Sequence, residues 1–277
     1  MREGTVLLTG ATGFVGKNVF NLLVEQYNIR VVIRPTNKSI FESYSNVEVV
    51  YSNDIFLESE DWWIEVCKSV DFIIHSAWYA EPGLYLESEL NLKCLIGTLN
   101  FANAARKNNV KKFVGIGTCF EYDLNNNILS VESPLNPTTL YASAKVSVFL
   151  TLRELFKKSD TMFSWCRLFY LYGKGEDSRR LVPYIRNKIS KGEKADLTSG
   201  LQIRDYLNVE KAAEMITDII VSNSSGPINV CSGIGITVKE LAEEIASEYG
   251  RLDLLNFGAR AENLLDPPCV IGVKSIL

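Results

Sequence analysis

Thr5-Val-Leu-Leu-Thr9, followed at once by Gly10-Ala-Thr-Gly13-Phe-Val-Gly16 and then by the amphipathic run Asn18 to Gln26, reads as strand, glycine loop, helix. The strand is continuously apolar, as a strand covered on both faces must be. Gly10, Gly13 and Gly16 make the pattern Gly-x-x-Gly-x-x-Gly, one residue longer than the commonest dinucleotide fingerprint. The physics is unchanged. One glycine permits a tight turn, one lets the backbone approach a pyrophosphate, and one lets the helix pack closely on the strand. The helix start, with Thr12, Phe14 and Val15 around it, offers its amides to phosphate oxygens.

Outward from that loop, apolar strands and helices alternate. Ile29 to Ile33 is a second strand ending in Arg34-Pro35, and Val47 to Tyr51 is a third, followed by Asn53-Asp54 and Ile55. A helix over Glu60 to Lys68 precedes the strand Val70 to His75, and a long helix, Asn91 to Asn108, precedes Lys112 to Gly117. The turn-rich stretch Asp123 to Pro137 leads into a helix carrying Tyr141 and Lys145, and Phe163 to Leu168 is a further strand. This alternation predicts an α/β fold: a doubly wound parallel sheet of Rossmann type. Past Tyr172-Gly173 the alternation weakens, with helices at Leu181 to Lys191, Ala212 to Val221 and Val238 to Tyr249, the last two separated by Gly226-Pro-Ile-Asn-Val230. The expected organisation is a dinucleotide-binding domain over 1–172, with 204–225 returning to it, and a smaller C-terminal substrate-binding lobe making up most of 173–277.

Composition narrows the chemistry. A chain of 277 residues, 47% hydrophobic, buries a full core without disulfide or metal staples. The six cysteines stand singly among apolar neighbours with no Cys-x-x-Cys pair, so they read as reduced, buried thiols. One histidine, His75, leaves no material for a histidine-centred triad or a multi-histidine metal site, and no metal is expected. A formal charge of -4 without basic runs argues against nucleic acid as the main partner, yet leaves room for one phosphorylated small molecule. The apolar run Thr5 to Thr9 is too short for a signal peptide or a membrane span, so the cytoplasm is the expected location and no membrane partner is expected.

Two further features bear on function. The second strand ends in Arg34, with no acid until Glu42, where an enzyme for the unphosphorylated dinucleotide ordinarily places a carboxylate. A guanidinium matches a 2′-phosphate in charge and geometry, so NADP(H) is preferred and NAD(H) remains possible; a plain surface arginine is the other reading. Tyr141-Ala-Ser-Ala-Lys145 puts a phenol and an ammonium on one helix face. A nearby positive charge eases proton movement through the tyrosine oxygen.

Gly10-Ala-Thr-Gly-Phe-Val-Gly16, Thr118 at the end of the fifth strand, Tyr141-x-x-x-Lys145 and Arg204-Asp-Tyr206 resemble the extended short-chain dehydrogenase/reductase family, in its nucleotide-sugar epimerase, dehydratase and ketoreductase branch. The resemblance spans nearly the whole chain. It implies that Tyr141 is the general acid/base, that Lys145 lowers its pKa and holds the nicotinamide ribose, and that Thr118 hydrogen-bonds the same substrate oxygen. It further implies that Asp54 and Ile55 line the adenine, that Ser76, Ala77 and Trp78 pass under the cofactor, and that Asn91 is largely structural. Leu168, Phe169 and Tyr170 would face nicotinamide and sugar. Arg204 would bind the substrate diphosphate, with Arg260 in a similar part.

Departures from the family pattern narrow the reaction. The dehydratases of the branch follow the threonine with an acidic pair, whereas here Cys119 and Phe120 follow, and Glu121 would point differently. Elimination is disfavoured. The expected activity is NADPH-dependent reduction of a nucleotide-linked 4-keto-6-deoxy sugar, with Tyr141 as proton donor; the alternatives are an NAD-dependent 4-epimerase and a non-catalytic dinucleotide binder. The helices Asn91 to Asn108 and Tyr141 to Lys157 correspond to those that form a four-helix homodimer interface in the family. Phe149, Leu150, Leu152 and Phe156 would supply its apolar face or would cover the sheet. The run Asn256 to Val273 is expected to shape the sugar pocket.

Overall fold

The computed structural model describes residues 2–263 and 266–276. In chain order its strands are β1 (Thr5–Thr9), β2 (Asn28–Ile33), β3 (Val47–Tyr51), β4 (Phe72–His75), β5 (Lys112–Thr118), β6 (Ile128–Leu129), β7 (Met162–Leu168), β8 (Tyr170–Tyr172), β9 (Ala195–Asp196), β10 (Ile203–Asn208), β11 (Gly226–Val230), β12 (Gly235–Thr237), β13 (Leu255–Asn256) and β14 (Cys269–Gly272). The α-helices are α1 (Phe14–Leu23), α2 (Glu60–Val66), α3 (Leu90–Lys107), α4 (Leu140–Phe156), α5 (Leu181–Ser190), α6 (Val209–Val221) and α7 (Val238–Ser247). Among the described residues no helix is long and apolar enough to cross a membrane.

Seven strands form one parallel sheet in the order β3-β2-β1-β4-β5-β7-β11. Alternate side chains of each strand feed opposite layers. On β1, Val6 and Leu8 join α1 and α6 through Val19, Phe20, Ile216 and Ile220, while Leu7 joins α2, α3 and α4 through Trp63, Phe101 and Val148. The chain winds outward in both directions from β1 and β4. The sheet therefore opens a crevice at their carboxyl ends, the switch point where such folds hold ligands.

Gly226–Val230, read in the sequence as a spacer between two helices, is the seventh strand of this sheet, in register with Ser164–Leu168. A short strand is easily overlooked when a glycine and a proline open it. The turn-rich stretch after β5 likewise contains β6, which pairs with β14 in a second sheet of order β12-β10-β14-β6, with β8 alongside β10. The buried Asp205 carboxylate ties this second sheet together. It accepts from the Ser232 amide (2.7 Å) and hydroxyl (2.6 Å), from the Gly233 amide (2.9 Å) and from the Gly272 amide (3.1 Å).

The apolar residues of α4 divide between the two expected roles. Phe149, Leu152 and Phe156 are buried against the sheet, because the β5 and β7 side chains need that cover. Leu150 points outward, with Leu92 and Ile96 of α3.

Sequence reading also passed over Lys112, fully buried at the start of β5. Its ammonium donates to the carbonyls of Ile219 (2.5 Å) and Ser222 (2.7 Å), closing the carboxyl end of α6 where helix carbonyls lack partners. Lys112→Met would strip two buried acceptors of their donor. The expected loss is about 1–3 kcal/mol of stability, read as a lower urea midpoint with unchanged slope.

Candidate active site

The glycine loop is compressed against its surroundings. Gly10 has φ +73°, and a Cβ there would lie 2.7 Å from the Ala77 amide nitrogen. A Cβ on Gly16 would overlap the Gly10 carbonyl oxygen. The Gly13 amide donates back to that carbonyl at 2.9 Å, and Gly13 starts α1 without a side-chain cap and without an acid in the first turn. Thr12 and Gly13 are exposed at the mouth, and Phe14 and Val15 are half-buried behind them. An uncapped, acid-free helix start with its cradle kept clear of side chains fits a dinucleotide pyrophosphate.

The neighbouring strand ends carry the other expected cofactor contacts. Thr9 is in register with Val32, so Gly10 and Arg34 leave adjacent strands. Arg34 is exposed and forms no hydrogen bond or ion pair with a described residue. Asp54 and Ile55 are half-buried after β3, the Asp54 carboxylate accepting from the Phe56 amide at 3.0 Å. Ser76 and Ala77 lie back on β1, their amides donating to the Thr9 carbonyl (3.3 Å) and hydroxyl (3.4 Å). His75 is clamped between the Thr9 and Thr98 hydroxyls at 2.7 and 2.9 Å, and burial holds it down to about 3, so the ring is neutral and structural.

The Tyr141–Lys145 pair sits where α4 begins. Thr139 caps the helix by accepting from the Ala142 amide, which makes Tyr141 its second residue and puts Lys145 one turn later on the same side. The Thr118 hydroxyl lies beside the Tyr141 phenol and works to lower its pKa, while accepting from the Phe120 amide at 3.2 Å. Lys145, 4% exposed, donates to the Ile116 carbonyl (2.7 Å), and its Nζ lies 3.7 Å from the Trp78 ring centroid and 6.0 Å from that of Tyr141. Trp78 is steadied by Asn91, whose Oδ1 accepts from the indole at 2.8 Å while its amide donates to the Tyr85 and Ser88 carbonyls.

The electrostatics differ from the sequence expectation that Lys145 lowers the Tyr141 pKa. The tyrosine is half-buried; burial first, then Tyr85 and Glu121, push its phenol well above the ordinary value. Burial also brings Lys145 down to about 7. Desolvation is the largest influence on the phenol, and a protonated phenol at neutral pH is a proton donor.

On the substrate side, Leu168 is half-buried at the end of β7. The Tyr170 ring meets Phe120 at 6.2 Å and Tyr206 at 5.9 Å, and its buried hydroxyl finds no partner among the described residues. The Arg204 guanidinium lies 5.3 Å from that ring, donates to the Ile203 carbonyl, and faces the Asp266 carboxylate at 2.6 Å in an ionic contact off the N–H direction. Arg260 is apart from this group: it is exposed and stacks over Tyr184 at 4.5 Å. Of the run Asn256 to Val273, Leu264 and Leu265 lie outside the described residues.

Glu121 does turn away, and the sequence did not show to what. It is fully buried and ion-paired with Arg167 at 2.7 Å, and Trp165 donates to it. The available signal was the Gly115-x-Gly117 spacing on a buried strand, which marks the close approach of another group.

Crevice, glycine cradle and tyrosine–lysine pair together define a dinucleotide-dependent enzyme of Rossmann architecture. A model described as the NAD dependent epimerase/dehydratase family matches residues 6–231, and the chain belongs to that family, the extended short-chain dehydrogenase/reductase type. Among its relatives are the dTDP-6-deoxy-L-talose 4-dehydrogenase (NAD(+)) of Aggregatibacter actinomycetemcomitans and the CDP-abequose synthase of Salmonella muenchen. The first is 24% identical over 88% of this chain and 90% of that protein, the second 23% over 92% and 84%. The UDP-N-acetylglucosamine 4-epimerase of Methanobrevibacter ruminantium M1 shares the fold with a TM-score of 0.88, covering 99% of this chain and 91% of that one at 21% identity.

Lys145 carries a testable stability signature. Its folded value of about 7 lies below the ordinary 10.5, so the unfolded chain binds the extra proton between those values. The penalty is complete below pH 7 and fades as pH rises toward 10.5. Lys145→Met should therefore gain about 1–2 kcal/mol over the native protein at pH 6, with the gap narrowing by pH 9 in urea titrations, while activity is lost.

Proposed function

We propose that the protein reduces a nucleotide-linked 4-keto-6-deoxy sugar with NADPH. The observation that carries this reading is a protonated Tyr141 phenol beside the Thr118 hydroxyl, at a site where the neighbouring acid, Glu121, is ion-paired with Arg167. With Cys119 and Phe120 in between, no side chain after Thr118 can take a proton for elimination. Gly10, Gly13, Gly16 and the start of α1 would hold the pyrophosphate, Asp54 and Ile55 the adenosine, and Trp78, Lys145 and Leu168 the nicotinamide end. Bound there, the dinucleotide supplies a hydride for carbon 4.

Thr118 and Tyr141 orient the sugar's keto oxygen between their hydroxyls, and Tyr141 gives its proton to the alkoxide that forms. The Lys145 ammonium stabilises the phenolate left behind. Arg204 takes the substrate diphosphate in exchange for Asp266, and Tyr170 offers its unpartnered hydroxyl to the sugar. Arg34 favours the 2′-phosphate because no described neighbour neutralises it. The named relatives support a carbon-4 redox step on a deoxysugar, one being called a 6-deoxy-L-talose 4-dehydrogenase. The second reading, a 4-epimerase that retains NAD, draws support from the fold shared with a named 4-epimerase. Residues 173–277 would mainly shape the sugar site, with α6 and β11 returning to the first sheet, and two copies would pair through Leu92, Ile96 and Leu150 of α3 and α4 in a four-helix bundle.

Incubation with a panel of nucleotide-linked 4-keto-6-deoxy sugars should consume NADPH, followed by its absorbance. No oxidation with any keto sugar, together with interconversion of ordinary nucleotide sugars without added cofactor, would replace the reductase by the epimerase. Arg34→Asp should raise the Michaelis constant for NADPH at least about tenfold while leaving that for NADH nearly unchanged; equal effects on both would remove the arginine's role.

A further inference from the structure

The β5 sequence Lys112-Phe-Val-Gly-Ile-Gly-Thr118 has glycines at two fully enclosed positions. A Cβ on Gly115 would fall 2.5 Å from the six-membered ring of Trp165, and one on Gly117 would overlap both Trp165 Nε1 and a Glu121 carboxylate oxygen. Their absence lets the indole lie across the strand and brings a carboxylate under its carboxyl end. Glu121 Oε1 accepts from the Thr118 amide (2.9 Å) and from Trp165 Nε1 (2.9 Å), and Oε2 accepts from Arg167 Nε (2.7 Å). Behind them, Arg167 Nη1 donates to the Tyr122 hydroxyl (3.0 Å), which donates to Asn229 (2.6 Å). The guanidinium carbon lies 4.5 and 4.7 Å from the Tyr122 and Phe149 ring centroids.

A buried ion pair adds little net stability, because desolvation offsets most of the attraction. Its placement, one hydrogen bond from Thr118, is therefore informative. The groups facing the Lys145 ammonium are the Ile116 carbonyl, the Trp78, Tyr141 and Trp165 rings, His75 of β4, Cys94 of α3 and Glu121. Those facing the Tyr141 phenol are Thr118, Cys119, Tyr85 and Glu121. His75 is held neutral, and burial raises the two thiols and Tyr85. That leaves Glu121 as the negative charge in the set.

We infer that Glu121 is a positioning residue for proton transfer: through the Thr118 amide it fixes the hydroxyl that lies beside Tyr141, and its carboxylate, backed by Arg167, is the fixed counter-charge to Lys145. The carboxylate raises both groups, opposing burial at Lys145 and keeping the amine cationic nearer neutral pH. The inference rests on the Thr118–Tyr141–Lys145 proton-transfer reading and on neither the sugar nor the choice of dinucleotide.

The test titrates the Lys145 amine by nitrogen-15 NMR in lysine-labelled full-length protein, its signal assigned by loss in Lys145→Arg. Two variants are compared: Glu121→Gln, and Glu121→Gln with Arg167→Met, which leaves no unpaired guanidinium in the core. The native midpoint is expected at about 7. In both variants it should fall by at least about 0.5 of a pH unit, and kcat should drop about tenfold or more with the dinucleotide Michaelis constant held within about twofold. A double variant with native near-ultraviolet circular dichroism, native Lys145 midpoint and native kcat would overturn the inference. Should the native protein turn over no sugar, the proposed activity falls, while the amine titration still decides the role of Glu121.

Discussion

Close backbone approach at the carboxyl ends of β1 and β4 is the constraint on which the rest of this structure depends. The turn after β1 presses on the segment after β4 and on the start of α1 so tightly that a single methyl at Gly10 or Gly16 has no room. Because Gly10 adopts a left-handed conformation that side chains resist, the chain can leave β1 and enter α1 within four residues. That sharp exit sends α1 to one face of the sheet, while the chain after β4 goes to the other and is covered by α3 and α4. The crevice between the two exits is where the helix amides, Trp78 and Lys145 converge.

Within the crevice, desolvation sets the chemistry. A phenol and an amine held out of water both shift toward their neutral forms, so Tyr141 keeps its proton and Lys145 is poised near neutrality. A site intended to donate a proton gains from the first shift and is limited by the second. The buried carboxylate behind Thr118 counters that limit without taking part in elimination, because Arg167 and Trp165 occupy its oxygens. Two other interior charges are satisfied largely by backbone: Lys112 by two carbonyls at the end of α6, Asp205 by amides from two segments. Such groups are strongly destabilising when half-satisfied, and each here joins elements distant in sequence.

Much of the fold was legible because it is written in local pattern. Continuous apolar strands alternating with helices, and three glycines at the first strand end, specify a doubly wound sheet and its phosphate cradle through steric rules that act within a dozen residues. Gly226–Val230 escaped because its edge position is decided by pairing with β7, some sixty residues away in sequence. The face of α4 stays undecided in the sequence for a related reason: Phe149, Leu152 and Phe156 are apolar whether they meet a sheet or a second copy, and only packing against β5 and β7 separates the two.

The sequence by itself determined the chemistry available at the site. A cradle lacking side chains, a threonine closing β5, a tyrosine and a lysine one helical turn apart, and no acid at the two positions after the threonine are all properties of residue type and spacing. Tertiary structure alone decided the charges on those groups and the company they keep. Whether Lys145 lowers the Tyr141 pKa, or burial raises it, depends on how deeply α4 sinks beside β5. Whether Glu121 is a spare acid or a counter-charge depends on Arg167 and Trp165, which arrive from a strand more than forty residues later, and long-range burial of that kind leaves no mark in local sequence.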